Sequence, residues 1–334
     1  MDRKQSHIDL ALQQSVVTSA FYGIQLQHCA LPDFNFSAID LTSQFLNFQL
    51  AAPIMISSMT GGTAESTRIN QHLAEAAREC GIVIAVGSQR ISQDGINNYG
   101  LDRQLRQWAG SSPIFGNVGL ANLIQWNDAG CLNDLAARID ADAMIIHLNP
   151  MQEIFQDTGD INWAGSVDCL ARSIAHCQLP VIVKEVGMGL SATVIQQCIE
   201  AGAAAVDIAG SGGTQFIAIE GAMSEQPMRQ RAAQTFAGWG ASTPQLLQQA
   251  QPATLSIPVI ASGGIRNGLD IAKCISLGAS LTAIAGVILP AARNSTSDCI
   301  AVIEQLKFEL AIACWGTGCQ NPSLLPSKYQ AHPS

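Results

Sequence analysis

From residue 51 onward the chain alternates between short apolar, β-branched runs and longer stretches of helical period. The apolar runs fall at 53–57, 82–86, 113–115, 143–146, 180–183, 204–208, 257–261 and 281–284, eight in all. Helical stretches between or after them include 64–80, 191–201, 243–251, 269–277 and 299–313. Several runs open on proline (Pro53, Pro113, Pro180, Pro258), where a missing N–H costs a strand least. Several helical stretches close on glycine (Gly81, Gly202, Gly278), the residue suited to a left-handed cap. Short buried strands alternating with helices predict a parallel sheet, and eight such units predict an α/β fold of the (β/α)8 TIM-barrel type. An open doubly wound sheet is the alternative.

Residues 1–50 lack this rhythm and read as a polar N-terminal arm or extension packing on a barrel that spans 51–334. Two connections, 148–165 and 209–242, are too long for plain turns, and long loops at the C-terminal end of barrel strands are commonly functional. Composition agrees with one large core: 48% of the 334 residues are hydrophobic and 13% charged. A net charge of −9 with no dense basic run argues against a nucleic-acid partner. Mean hydropathy is +0.20, yet no uncharged apolar stretch reaches the roughly 18 residues of a membrane span. The N-terminus has cations without an apolar segment behind them, so no signal peptide is expected. Ten scattered cysteines without a CxxC pair suit small core residues in a reducing cytoplasm.

Chemistry collects after the apolar runs. In chain order they lead into Ser58-Met59-Thr60-Gly61-Gly62, Gly87-Ser88-Gln89-Arg90, Gly116-Asn117-Val118-Gly119, His147-Leu148-Asn149, Lys184-Glu185, Gly210-Ser211-Gly212-Gly213-Thr214, Ser262-Gly263-Gly264-Ile265-Arg266 and Ala285-Gly286. That is the end of a barrel where active sites lie. The neighbouring glycine-rich loops after runs six and seven, with Arg266, read as a phosphate cradle, since glycines let backbone N–H groups approach an anion. A lone pair of glycines would more simply be a tight turn.

Lys184 could be a lysine whose head merely snorkels at a strand end. In this company its cation is expected against an electron-rich ring or an anion. His147 alone would more often be a core histidine, and Glu153 alone an exposed loop carboxylate. With Asn149 and Gln152 they form a polar run that suits a multiply charged anion, with Glu153 a candidate Mg²⁺ ligand beside substrate phosphates. Arg3 and Lys4, with His7, would by themselves read as a solvated terminus.

These segments together resemble the type 2 isopentenyl diphosphate isomerases. The matching pieces run in order over nearly the whole chain: Arg3-Lys4 with His7, Met59 to Gly62, Gly87 to Arg90, Asn117-Val118-Gly119, His147-Leu148-Asn149-Pro150-Met151-Gln152-Glu153, Lys184 to Gly187, 207–214, the pattern of Phe236, Trp239, Gly240 and Thr243, and Gly263 to Arg266. The histidine-to-glutamate run is the most specific of them. Ser6 and Gln215 depart from the family's usual residues.

The resemblance implies an enzyme that interconverts isopentenyl and dimethylallyl diphosphate with FMN and Mg²⁺, using NADPH only to reduce the flavin. It implies Met59, Thr60, Ser88, Asn117 and Lys184 at the flavin ring and ribityl chain, and Thr214, Gly264, Arg266, Ala285 and Gly286 at its phosphate. It further implies Arg3, Lys4, His147, Asn149 and Gln152 at the substrate, with Glu153 on the metal. Lys184, Gln152 and His147 would be the catalytic set, and a cytoplasmic homotetramer or homooctamer is expected. Moving the double bond adds one proton and removes another with no net redox change, which suits reduced flavin as the acid–base group.

Two other flavin or nucleotide enzymes share such barrels. A 2-hydroxy-acid oxidase needs a proton-abstracting histidine late in the barrel, but the only histidine after Lys184 is His332. An inosine-monophosphate-dehydrogenase-like enzyme needs a cysteine after the sixth run, and 210–214 has none. A non-catalytic flavin- or phosphate-binding barrel would be expected to lack Lys184 or the Gln152–Glu153 pair.

Overall fold

A computed structural model describes residues 19–59, 64–92, 98–128 and 130–330. Eight parallel strands close into a barrel: β1 (Ile54–Ile56), β2 (Val83–Ala85), β3 (Ile114–Gly119), β4 (Ala143–Leu148), β5 (Val181–Glu185), β6 (Ala205–Asp207), β7 (Val259–Ser262) and β8 (Leu281–Ile284). Each strand pairs with its sequence neighbour, and β8 returns to β1 through Thr282–Ile54 and Ile284–Ile56. The closed ring excludes the doubly wound sheet.

Side chains alternate across each strand. The inward set forms its own buried cluster of Met55, Val83, Ala85, Phe115, Ala143, Ile145, Ile182, Ala205, Ile260, Leu281 and Ala283. Two further members, Phe45 and Leu50, come from outside the barrel. They belong to a β-hairpin, Ser43–Phe45 with Phe48–Leu50, whose Phe45 and Phe48 rings sit 6.4 and 5.8 Å from Phe115. The hairpin therefore plugs the N-terminal mouth. Residues 43–50 had shown no period, because each hairpin strand is only three residues long and carries a glutamine at its centre.

The outward strand faces pack against surrounding helices in a second and larger cluster. Helix starts are capped by side chains: Ser191, Asn267 and Ser295 accept from N–H groups at the heads of Ala192–Glu200, Gly268–Ser276 and Thr296–Gly316. Gln25–Leu26 pairs antiparallel with Tyr329–Gln330, clasping the two ends of the described chain.

Four segments differ from the expected pattern. Strands β3 and β4 run on through Asn117 and His147, residues expected just after the apolar runs, while β5 ends on Lys184 and Glu185 as expected. The 148–165 connection contains the short helix Pro150–Glu153, and the 209–242 connection contains Phe216–Met223 and Pro227–Thr235. Helices Arg103–Ala109, Leu120–Trp126, Cys131–Ile139 and Ser166–His176 complete the outer ring. No helix among the described residues is long and apolar enough to cross a membrane.

Candidate active site

Continuing the inward alternation past the apolar layer places polar side chains at the C-terminal end of the barrel: Asn117 on β3, His147 on β4, Lys184 on β5, Asp207 on β6 and Ser262 on β7. His147 is in register with Lys184, and Lys184 with Asp207. One strand period thus gives an apolar floor and a polar ring above it.

His147 Nδ1 lies 2.9 Å from Asn117 Oδ1. Asn117 Nδ2 donates to Val86 O at 3.1 Å, which leaves Oδ1 as the acceptor and assigns the proton to His147 Nδ1. Nε2 is then the nitrogen left to accept. Burial, helped by the cations of Lys184 and Arg90, pushes the imidazole's pKa down to about 4, so it is neutral near pH 7. Gln89 fixes Asn117 from behind, accepting from its N–H at 3.1 Å and donating to Leu135 O at 2.8 Å. Gly119 leaves room for the ring: a Cβ there would stand 2.8 Å from His147 Nε2.

Lys184 Nζ donates to Asp207 Oδ2 at 2.9 Å and to Ser262 Oγ at 3.3 Å. Ser262 Oγ donates to Asp207 Oδ1 at 2.5 Å. Glu185, the next residue, faces away from the ring and accepts from the N–H groups of Gly187, Met188 and Gly189. Burial raises its pKa against those three bonds, so its work is to shape the turn after β5.

The run after β4 forms a connected set. Asn149 Nδ2 donates to Glu153 Oε1 at 2.7 Å and to Gln152 Oε1 at 3.3 Å, while Glu153 Oε2 accepts from Asp160 N at 2.8 Å. Glu153 is buried rather than the exposed carboxylate of the bland alternative. Gln152 and Gln156 both donate to Glu220 Oε1, at 2.8 and 3.0 Å, tying this run to helix Phe216–Met223. Asp157 adds a second tie, accepting from Ser224 Oγ, Glu225 N and Arg229 Nη1. Phe155, Met188, Ile217 and Phe236 form a small apolar cluster between these loops.

The glycine loops after β6 and β7 interlock. Gly263 and Gly264 have φ of +99° and +76°; a Cβ on Gly263 would overlap the Gly210 carbonyl, and one on Gly264 would lie 3.0 Å from Gly212. Arg266 Nη2 donates to Gly212 O at 3.1 Å, and Thr243 Oγ1 donates to the carbonyls of Ser262 and Gly263, both at 2.7 Å. Thr214 and Ala285 are half-buried at the same end, and a Cβ on Gly286 would meet nothing within 4 Å. Ala20 reaches this rim, 3.5 Å from where a Gly212 Cβ would stand.

Among the predicted residues, the structure places Asn117, His147, Lys184, Asn149, Gln152 and Glu153 at one end of the barrel in three bonded groups, with Thr214, Gly264 and Arg266 in the interlocked loops. Met59 and Ser88 are half-buried at the ends of β1 and β2. Arg3, Lys4 and Thr60 lie outside the described residues. Gln89, Asp207, Glu220 and Ser262 were not singled out as site residues. Their sequence signals were faint: a carboxylate ending the apolar run at 204–208, another inside the apolar helix Phe216–Met223, and polar residues following strands.

The two groups that the family resemblance implies can be tested against this donor set. Asn149 Oδ1 and Ser58 Oγ are buried without hydrogen-bond partners, facing an end of the barrel rich in backbone donors and carrying one lysine. Such orphans suit a polar ligand, and the donors and Lys184 suit a flavin with its phosphate. For a metal, the described residues hold no group of three or more His, Cys, Asp or Glu side chains. Glu153 alone is compatible only with an ion completed by substrate oxygens and water. All ten cysteines are unpaired.

The same fold occurs in solved flavoenzymes. (S)-mandelate dehydrogenase aligns with a TM-score of 0.69 at 16% identity, covering 99% of this chain and 92% of that one. A lactate oxidase from Pediococcus acidilactici aligns with a TM-score of 0.63 at 17% identity. The family profile of FMN-dependent dehydrogenases matches residues 128–331, which makes the barrel one of the FMN-dependent class. Closer relatives narrow this. Isopentenyl-diphosphate delta-isomerase of Vibrio parahaemolyticus is 43% identical, with 95% of both chains covered, and that of Pseudescherichia vulneris is 41% identical over 97% of this chain and 94% of its own. The Synechococcus enzyme of the same name is 41% identical over 93% and 90%. The chain belongs to the isopentenyl-diphosphate delta-isomerase family, on the FMN-dependent dehydrogenase barrel.

Proposed function

We propose that this chain interconverts isopentenyl diphosphate and dimethylallyl diphosphate, with FMN in the barrel mouth, Mg²⁺ at the diphosphate and NADPH as the source of flavin reduction. The observation that carries the proposal is the run His147, Asn149, Gln152 and Glu153. Asn149, Gln152 and Glu153 form one hydrogen-bonded set with Asn149 Oδ1 left without a partner, while His147 stands in register with Lys184 and is bonded to Asn117. When bound, reduced FMN would supply the acid–base group for the double-bond shift. Met59, Thr60, Ser88, Asn117 and Lys184 would hold its ring and ribityl chain, and Thr214, Gly264, Arg266, Ala285 and Gly286 its phosphate. Lys184 supplies a fixed cation at the ring.

His147 and Asn149 would meet the diphosphate, and the anion would raise the proton affinity of a histidine that is otherwise neutral. Gln152 is held by Glu220 and Asn149, so its amide is oriented before any ligand arrives. Glu153 would complete the magnesium shell with phosphate oxygens and water. Arg3 and Lys4 would close over the diphosphate. Ala20 at the rim is sixteen residues from Lys4, a length of chain that can extend roughly 50 Å. We assign the protein to the cytoplasm and to a homotetramer or homooctamer on the family resemblance.

The test is product formation from isopentenyl diphosphate by purified protein with FMN, Mg²⁺ and a reductant. An inactive holoenzyme, or equal turnover by oxidised enzyme kept free of reductant, would sink the reading. Sedimentation of the holoenzyme gives the assembly.

A further inference from the structure

We propose that Asp207 is the positioning residue for Lys184, holding its side chain as a directed cation under the barrel mouth. The proposal rests on the reading that Lys184 faces the flavin.

Three strands converge on this carboxylate. Lys184 stands on β5 between His147 on β4 and Asp207 on β6, in register with both. Asp207 Oδ2 accepts from Lys184 Nζ at 2.9 Å, while Oδ1 accepts from Ser262 Oγ at 2.5 Å and from Ala209 N at 3.2 Å. Ala209 adopts φ of +40°, unusual for a residue with a side chain, and this turn delivers its N–H to the carboxylate. Asp207 is 1% exposed and Lys184 8%. The carboxylate is therefore fixed by two donors, Ser262 and Ala209, besides the lysine it holds.

An ammonium has three N–H bonds. Asp207 and Ser262 take two, so the third direction is set by the other two and by the tetrahedral nitrogen. The remaining charged or titratable neighbours do not compete: His147 is neutral, Glu185 is committed to the turn at 187–189, and Arg90 is a like charge on an exposed residue. Without Asp207, a buried ammonium would face an imidazole and a hydroxyl with no counter-charge, and it would not be held in this position. A purely structural pair would look similar in the fold, but it would leave a bound flavin electrically unchanged.

The test measures the FMN midpoint potential and steady-state kinetics of holoenzyme for wild type, Asp207→Asn, Lys184→Met, the double variant and Ser262→Ala. Loss of the cation disfavours anionic reduced flavin, so Asp207→Asn is expected to lower the potential toward that of Lys184→Met. The double variant should match Lys184→Met, because with the lysine gone Asp207 has no cation left to position. Ser262→Ala should shift the potential the same way by less. In turnover, Asp207→Asn should lower kcat about tenfold or more with KM within about threefold, the split expected when ground-state binding is untouched.

An unchanged or raised potential in Asp207→Asn, or additive shifts in the double variant, would overturn the proposal. If Asp207→Asn does not fold, Ser262→Ala carries the test, and no shift there overturns it. If wild type fails to isomerise but the potentials follow this pattern, the assigned reaction is wrong and the Asp207 assignment stands.

Discussion

Gly263→Ala tests whether the interlocked glycine loops form the flavin phosphate site. The new Cβ would overlap the Gly210 carbonyl and lie 2.8 Å from its carbon, where ordinary contacts begin at about 3.4 Å. Both partners are backbone, so no rotamer change relieves the overlap, and the loops must part by on the order of 1 Å. The φ of +99° adds strain of about 1–3 kcal/mol for a residue with a side chain. Parting the loops also weakens the Gly210 N–H bond to Ser262 O and the Thr243 bond to Gly263 O, at about 0.5–1.5 kcal/mol each. A total near 3–4 kcal/mol, felt mainly where the loops meet the ligand, corresponds to a hundred- to thousandfold weaker FMN binding, at about 1.4 kcal/mol per decade. Fluorescence titration of apoprotein with FMN measures it, with thermal melting to separate global loss of stability. Gly286→Ala is the comparison, since its Cβ meets no protein atom within 4 Å and should leave the apoprotein's melting temperature unchanged. Wild-type FMN affinity in Gly263→Ala would refute the assignment of the cradle.

Other outcomes follow from the same geometry. The folded pKa of His147, about 4, lies below its ordinary value of 6.5, so the unfolded chain binds the extra proton between them. Stability should therefore fall as pH drops from about 6.5 to 4, by up to about 3 kcal/mol, and His147→Gln should lose that part of the slope in melting curves. Glu153→Gln sets an NH₂ against either Asn149 Nδ2 or Asp160 N–H, and should raise the Mg²⁺ concentration needed for half activity while flavin absorbance survives; an unchanged metal titration removes Glu153 from the magnesium site. Asp157→Ala removes the acceptor of Ser224, Glu225 and Arg229 and should speed tryptic cleavage after Arg229 or Arg231, read by mass spectrometry. Burial lifts the thiols of Cys198, Cys299 and Cys314 to about 12, so these should resist a thiol reagent until the protein unfolds.

Much of the barrel was legible because its signals are local. The run at 281–284 and the helical stretch at 64–80 match β8 and Ala64–Cys80 to the residue. Strand β3 runs four residues past the apolar run at 113–115, through Gly116, Asn117 and Gly119, which have the composition of a turn. They stay in the strand because a side chain at 116 would strike Met144 and one at 119 would strike His147. The site divides in the same way. His147, Asn149, Gln152 and Glu153 are contiguous and could be read as a group. Glu220 reaches Gln152 across 68 residues, and Ser262 reaches Asp207 across 55, so no window on the sequence displays either pair. Gln89 was passed over for a related reason: its side chain turns inward to serve Asn117 rather than outward to a ligand.

The hairpin at 43–50 has a consequence for traffic. With Phe45, Phe48 and Phe115 packed across one mouth, the way into the barrel among the described residues is the end carrying His147 and Lys184. On the proposed function, substrate and product would share that opening with the flavin, beside the loops joined by Glu220 and Asp157. Loading and turnover become serial events at one threshold, and whatever stiffens those loops slows both together.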